Sequence, residues 1–242
     1  MGRKPFSHSD YNGLLIVDKP IGWSSMDVIR RIRRATNRCK AGHAGTLDPL
    51  ATGVVVCCLG KATKLVDQLM AGTKVYTTKV DLSAFTQTDD LEGEREEVSI
   101  DTPPTQLQVL NAVEQLTGEI QQIPPMYSAI HINGQRAYKL ARKGQTVEIE
   151  PRTVMVHAIR LLDYQWPYAE LEITCGKGTY IRSIARDLGK LLNTGGHCAT
   201  LRRTTVGPYT LEQAIPGSRL DEPITQADLI PVDEIPHIAE SS

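Results

Sequence analysis

Apolar positions along this chain fall into short runs and alternations separated by turn residues. Leu14-Leu15-Ile16-Val17 is a continuous apolar run closed by Asp18-Lys19-Pro20, the pattern of a buried strand entering a turn. Ser24-Ser25-Met26-Asp27 has the Ser-x-x-Asp spacing of a capping box, which satisfies free amides at a helix start. Val28, Ile29, Ile32 and Ala35 then recur at helical spacing, with Arg30, Arg33 and Arg34 on the opposite side. From Ala41 to Pro49 the periodicity stops, and small residues around His43 and Asp48 predict a tight loop delivered into a buried strand, Val54 to Leu59. Thr63 is expected to cap a helix carrying Leu65, Val66, Leu69 and Met70, and Val75 to Leu82 reads as a further strand. Thr105 begins a helix through Val109, Leu110, Val113 and Leu116, closed at Gly118. Ala169 to Cys175 alternates strictly, with Leu171, Ile173 and Cys175 on one face and Glu170, Glu172 and Thr174 on the other. Gly176-Lys177-Gly178 turns that strand into a helix with Ile181, Ile184, Ala185 and Leu188 inward. The stretch from Ile123 to Pro151, with Pro124-Pro125 and Asn133-Gly134, reads as a long excursion. Helices and half-exposed strands intermix, which predicts an α+β class with a mainly antiparallel sheet.

Composition narrows the function. The chain has 242 residues, 40% of them hydrophobic and 23% charged, an ordinary globular balance. No apolar run approaches the roughly 20 residues needed to span a bilayer, and the first residues show no secretory h-region. The five cysteines lack C-x-x-C spacing and the six histidines lack H-E-x-x-H, so reduced buried thiols in a cytoplasmic protein are expected, and no metal site. The formal net charge of −1 hides an asymmetry. Between Asp27 and Asp48 there is no acid, while Arg30, Arg31, Arg33, Arg34, Arg38 and Lys40 all fall there. Acid gathers instead at Asp89, Asp90, Glu92, Glu94, Glu96 and Glu97, and after Glu212. One cationic surface on a neutral whole suits a protein that meets phosphate on one side; a solvated helix face is the plainer alternative.

Three features carry candidate chemistry. The Gly-rich loop with His43 and Asp48 lets backbone approach a ligand and holds a carboxylate able to act as nucleophile or base, although an Asp-Pro pair is most often a turn. Gly176 to Arg182 places Tyr180 and a guanidinium at a strand-to-helix junction, and Tyr76 opens a strand. The P-loop pattern and the dinucleotide fingerprint are both absent, which speaks against a small-molecule enzyme with phosphate loops.

Taken together these segments are more specific. Gly42-His43-Ala44-Gly45-Thr46-Leu47-Asp48-Pro49-Leu50-Ala51-Thr52-Gly53 closely resembles the active-site motif of the TruB family of tRNA pseudouridine synthases. Gly13 to Pro20, Leu59 to Lys64, Lys74 to Tyr76, Ile123 to Ala129, Lys177 to Ser183 and Leu201 to Thr204 are similar to that family's other blocks, in order. The resemblance implies a pseudouridine synthase fold over 1–215 with a thumb-like insertion at about 123–151. A short acidic segment at 216–242 follows, with no complete PUA domain expected. It implies Asp48 as the catalytic carboxylate, Tyr76 as the aromatic that stacks on the flipped uracil, and Tyr180 and Leu201 as lining of the base pocket. Arg182 corresponds to the cation that pairs with Asp48, and His43 to the residue that enters the RNA loop as bases leave. Lys19 and Lys64 match supporting basic positions, and Arg30, Arg33 and Arg34 are expected to hold phosphates. The implied reaction converts a uridine of the tRNA T-arm stem-loop, with no cofactor, no metal, no membrane and no obligate protein partner. An RNA chaperone of the same fold and a guide-dependent synthase of the H/ACA type are the alternatives. Ala44, where many relatives carry a hydroxyl, and Val55-Val56-Cys57-Cys58, in place of a more usual Leu-Pro pair, depart from the pattern without removing a functional group.

Overall fold

In the computed structural model the described residues are 11–128, 131–132, 135–136 and 149–236. Strand β1 (Gly13–Lys19) is buried along nearly its whole length and leads to helix α1 (Ser25–Ala35). The expected capping box is present: the Ser24 side chain accepts from the Asp27 amide, and the Asp27 carboxylate accepts from the Ser24 amide at 2.8 Å. Strand β2 (Ala41–His43) pairs antiparallel with β3 (Thr52–Leu59), His43 opposite Cys57, so the segment read as one loop begins as a strand. The loop proper is 44–51.

Thr63 does not cap a helix. It lies within a 3-10 turn, Gly60–Leu65, where its hydroxyl donates to the Gly60 carbonyl at 2.8 Å, and helix α2 (Val66–Ala71) follows without a side-chain cap. Asn12, far away in sequence, provides the substitute, its side-chain oxygen accepting the Lys61 amide at 2.9 Å. Strand β4 (Lys74–Asp81) forms where Val75 to Leu82 predicted one, and its burial alternates along most of its length. The acidic stretch is a hairpin, β5 (Ala84–Thr86) with β6 (Arg95–Glu97), and helix α3 (Gln106–Gln115) carries a Thr105/Gln108 capping box. Strand β7 (Gly118–Gln122) comes before the short pair β8 (His131–Ile132) and β9 (Gln135–Arg136). Most of the expected thumb insertion lies outside the described residues. A long hairpin, β10 (Arg152–Gln165) and β11 (Tyr168–Cys175), leads to helix α4 (Ile181–Leu192) and strand β12 (His197–Val206). Strands β13 (Tyr209–Thr210), β14 (Ile215–Pro216) and β15 (Ile230–Pro231) are the last among the described residues.

The chain divides into two compact units, Met1–Val75 with Arg202–Ser242, and Tyr76–Leu201. In the first, β1 runs antiparallel to β3 from Gly13↔Leu59 to Lys19↔Gly53, with β14 and β15 also paired to β1. Leu14, Ile16, Val54, Val56, Cys58, Leu69, Val206 and Tyr209 form its core, each large side chain stabilising by about 1.5–3 kcal/mol on burial. The described part of the acidic C-terminal segment is folded onto this unit: Arg31 pairs with Asp221, and the Tyr11 hydroxyl donates to the Ile224 carbonyl at 2.8 Å. In the second unit, β4, β11, β10 and β7 lie side by side, and α3 packs on α4 and β10. The buried face of β11 is the one the alternation predicted, Ala169, Leu171, Ile173 and Cys175. All five cysteines are free and buried. Each unit is thus built on a mainly antiparallel sheet with a few helices, the predicted α+β class.

Candidate active site

In the first unit, Asp48 stands partly exposed in loop 44–51, and the backbone on both sides of it is tied down. Before it, Arg203, only 1% exposed, donates from Nε to the Val54 carbonyl at 2.7 Å, and from Nη1 and Nη2 to Thr46 and Gly45 at 3.3 Å. The Ser25 hydroxyl accepts the Leu47 amide at 2.8 Å and donates to the Leu47 carbonyl at 3.1 Å. After it, the Gly22 amide donates to the Pro49 carbonyl at 2.8 Å, and Lys19 Nζ donates to the carbonyls of Ala51 and of Pro20, the latter at 3.0 Å. The loop therefore hangs on carbonyls held from inside the unit by two buried cations, which leaves little reorganisation for a carboxylate presented at its tip.

Electrostatics follow from that arrangement. Lys19 is fully buried; burial pushes its pKa down to about 8, while the Asp48 carboxylate works to keep it charged. His43 closes β2, and burial, followed by the Arg203 charge, holds its pKa below the usual imidazole value, so the ring is neutral near neutrality. Lys64 is exposed in the 3-10 turn after β3. Arg30 and Arg34 are exposed on α1, Arg30 paired with Asp27. Arg33 departs from the expected phosphate ridge: it is half-buried and donates to the Ala41 carbonyl at 2.6 Å, tying the end of α1 to β2.

In the second unit, Tyr76 in β4 and Leu201 in β12 are both buried, on neighbouring strands joined by the Thr78 hydroxyl donating to the Thr200 carbonyl at 2.7 Å. Tyr180 is the N-cap of α4, and its backbone amide and carbonyl are both bound by the Gln122 side chain. Arg182 is buried and pairs with Asp90 at 2.9 Å, donating also to the carbonyls of Thr88 at 2.9 Å and Tyr127 at 3.0 Å. One turn on, Arg186 pairs with Asp89 at 2.8 Å; burial pushes the Asp89 carboxyl up to about 6 against the pull of Arg186 and Arg182.

A family model described as TruB family pseudouridylate synthase, N-terminal domain, matches residues 33–181. The chain belongs to the TruB family. A second model, the tRNA pseudouridylate synthase B C-terminal domain, matches residues 182–228. Among relatives named tRNA pseudouridine synthase B, that of Thermobifida fusca is 45% identical over 92% of this chain and 78% of its own length. That of Arthrobacter is 48% identical over 84% of this chain and 68% of its own length. Among solved structures, a Cbf5-Nop10-Gar1 complex contains a chain that is 28% identical with a TM-score of 0.69, matched over 90% of this chain. This chain spans only 56% of that longer one.

The TruB resemblance located residues; the structure adds what holds them. Sequence reading named Asp48, His43 and Lys19 but missed the Arg203 clamp, although Arg203 lies inside the Leu201 to Thr204 block. It placed Asp89 and Asp90 in an acidic run without setting them apart, and both are buried, ion-paired carboxylates. Gln122 was not singled out, and only its place directly before the Ile123-Pro124-Pro125 block pointed to it. Among the described residues no group of three or more His, Cys, Asp or Glu side chains is placed to hold a metal ion. No helix among them is long and apolar enough to cross a membrane.

Proposed function

We propose that this TruB-family chain isomerises a uridine to pseudouridine in the T-arm loop of transfer RNA, with Asp48 as its catalytic carboxylate. The observation that carries this reading is the clamped Asp48 loop, in a chain 45% identical to a relative named tRNA pseudouridine synthase B. The reaction breaks the bond from ribose C1′ to N1 and forms one from C1′ to C5. N1 gains a proton and C5 loses one, so nothing is oxidised and no group departs. What it needs is an ionised carboxylate at a fixed position and a base outside its stack.

Extruding the base costs a few kcal/mol, least from a loop. Stacking on Tyr76 returns about 1–3 kcal/mol. Tyr180 and Leu201 line the uracil pocket, and Arg182 stands where the family has the cation that pairs with its catalytic carboxylate. Neutral His43 fills the space that the base leaves, and Lys19 supports the loop and its charge. Arg30, Arg34 and Lys64 meet phosphates. In this reading the enzyme works in the cytoplasm, without a cofactor or an obligate protein partner.

The test is an unmodified tRNA transcript and an isolated T-arm stem-loop, incubated with the purified chain and mapped for pseudouridine at nucleotide resolution. Product at one T-loop uridine in both is expected, and with no guide RNA or second protein present it also separates this reading from guided modification. Asp48→Asn should abolish the reaction while RNA affinity stays within about threefold, an order-of-magnitude expectation for a side chain used in the chemical step. Continued tritium release from C5-labelled uridine by that variant would refute the assignment.

A further inference from the structure

The Gln122 side chain closes on Tyr180 from both sides. The Tyr180 amide donates to Gln122 Oε1 at 2.7 Å, and Gln122 Nε2 donates to the Tyr180 carbonyl at 3.0 Å. Gln122 is 1% exposed and Tyr180 half-buried, so the carboxamide itself is out of water, where leaving a buried polar group unsatisfied costs about 1–3 kcal/mol. Tyr180 is the N-cap residue of α4, at φ −105 and ψ 110, and its side chain does not cap the helix. Its carbonyl is already committed to the Ile184 amide at 3.2 Å. With its amide and its carbonyl both taken by one rigid carboxamide, the Tyr180 backbone has little freedom, and the direction in which its ring leaves the main chain is fixed with it.

The residues after Gln122 are bound to the same end of α4. The Ser183 hydroxyl donates to the Ile123 carbonyl at 2.9 Å, Arg186 Nη2 to the same carbonyl at 2.8 Å, and Arg182 Nη2 to the Tyr127 carbonyl at 3.0 Å. The chain from β7 into the insertion is therefore stitched to the start of α4, and Gln122 is the stitch that touches the aromatic residue directly. Only a carboxamide does this: a glutamate offers acceptors alone, an asparagine is one methylene shorter, and an aliphatic side chain offers neither group.

We propose that Gln122 is a positioning residue for pseudouridine formation, acting through Tyr180 by fixing the backbone from which that ring faces the uracil. The proposal rests on the placement of Tyr180 in the base pocket, and the experiment separates the two. Single-turnover rates on unmodified tRNA transcript, dissociation constants and melting temperatures are measured for the full chain carrying Gln122→Leu, Gln122→Glu, Tyr180→Ala, and Gln122→Leu combined with Tyr180→Ala. Gln122→Leu should lower the single-turnover rate by about 10- to 100-fold, the scale of a misplacement near 1 Å. Its tRNA affinity should stay within about threefold, because the loss falls on a step after binding. In the Tyr180→Ala background the same substitution should change the rate less than about twofold, since residues acting as one unit are non-additive. A Gln122→Leu rate equal to wild type, or a full effect persisting without the Tyr180 ring, overturns the role given to Gln122. Should Gln122→Leu fail to fold, Gln122→Glu, which keeps the acceptor for the Tyr180 amide, is read by the same criteria. Wild-type turnover by Tyr180→Ala would overturn the base-pocket reading itself.

Discussion

Lys19 shows how a single buried charge can matter to the chemistry at some cost to the fold. Its ammonium is out of water, donates to the Pro20 and Ala51 carbonyls, and is kept charged chiefly by Asp48. Burial brings its pKa down to about 8 from an ordinary 10.5. Below pH 8 the charged group holds the far side of the Asp48 loop; above it the neutral amine is a weaker donor and no longer offsets the carboxylate. Activity should therefore fall as pH rises through about 8. Stability should move the other way. Between pH 8 and 10.5 the unfolded chain keeps the Lys19 proton that the folded chain has lost, so the folded state gains with rising pH. The check is a pH–rate profile with a basic limb that disappears in Lys19→Met, together with melting curves. The wild-type melting temperature relative to Lys19→Met should climb across that window. A flat difference would show that Lys19 titrates alike in both states. This charge was visible in the sequence at the centre of an Asp-Lys-Pro turn, but its burial was not. Backbone carbonyls, which are its partners, leave no trace in side-chain pattern.

Elements with local determinants were legible. The Ser24 capping box, the helix that begins at Thr105, the alternation in β11 and the inward stripe of α4 all appear where the residues placed them. Elements fixed by distant partners were not. β2 exists because Ala41 to His43 find β3, and the 3-10 turn after β3 is held by Asn12, far away in sequence. The Arg182–Asp90 pair joins residues 92 positions apart, and nothing in the acidic run set Asp90 apart from Glu92. β3 supplies a test at this scale. Gly53 has φ +108, and a Cβ there would lie 2.1 Å from the Arg203 carbonyl oxygen, so strand and clamp approach where only glycine fits. Gly22 has φ +82 but open space around the same position. Gly22→Ala should cost only backbone strain, about 1 kcal/mol, whereas Gly53→Ala adds a backbone collision and should cost at least about 3 kcal/mol. Denaturant titration separates the two. Equal losses would mean that the approach of β3 to Arg203 relaxes without effort, and that the Asp48 loop is held less tightly than its hydrogen bonds indicate.

Across the whole molecule the charges sum to −1, so affinity for a polyanion has to come from arrangement. The sequence showed the arrangement coarsely, as a basic run without acid between Asp27 and Asp48, and predicted one ridge of three arginines on the helix. The fold divides that ridge by use. Arg33 turns back to the Ala41 carbonyl and serves the joint between α1 and β2, while Arg30 and Arg34 stay on the exposed face. The Arg30–Asp27 pair is exposed, and pairs of that kind contribute only about 0–1 kcal/mol, so a phosphate can compete for the guanidinium. The two kinds of arginine should then separate experimentally. Arg30→Glu with Arg34→Glu should weaken tRNA binding and reduce the slope of log affinity against log salt by about 0.7–0.9 for each phosphate no longer neutralised, with the melting temperature nearly unchanged. Arg33→Glu should do the reverse, lowering the melting temperature by removing a partly buried donor from a carbonyl while changing the salt slope little. If Arg33→Glu alone flattened the salt dependence and left folding intact, the guanidinium would be reaching RNA, and the bond to Ala41 would be one that RNA displaces.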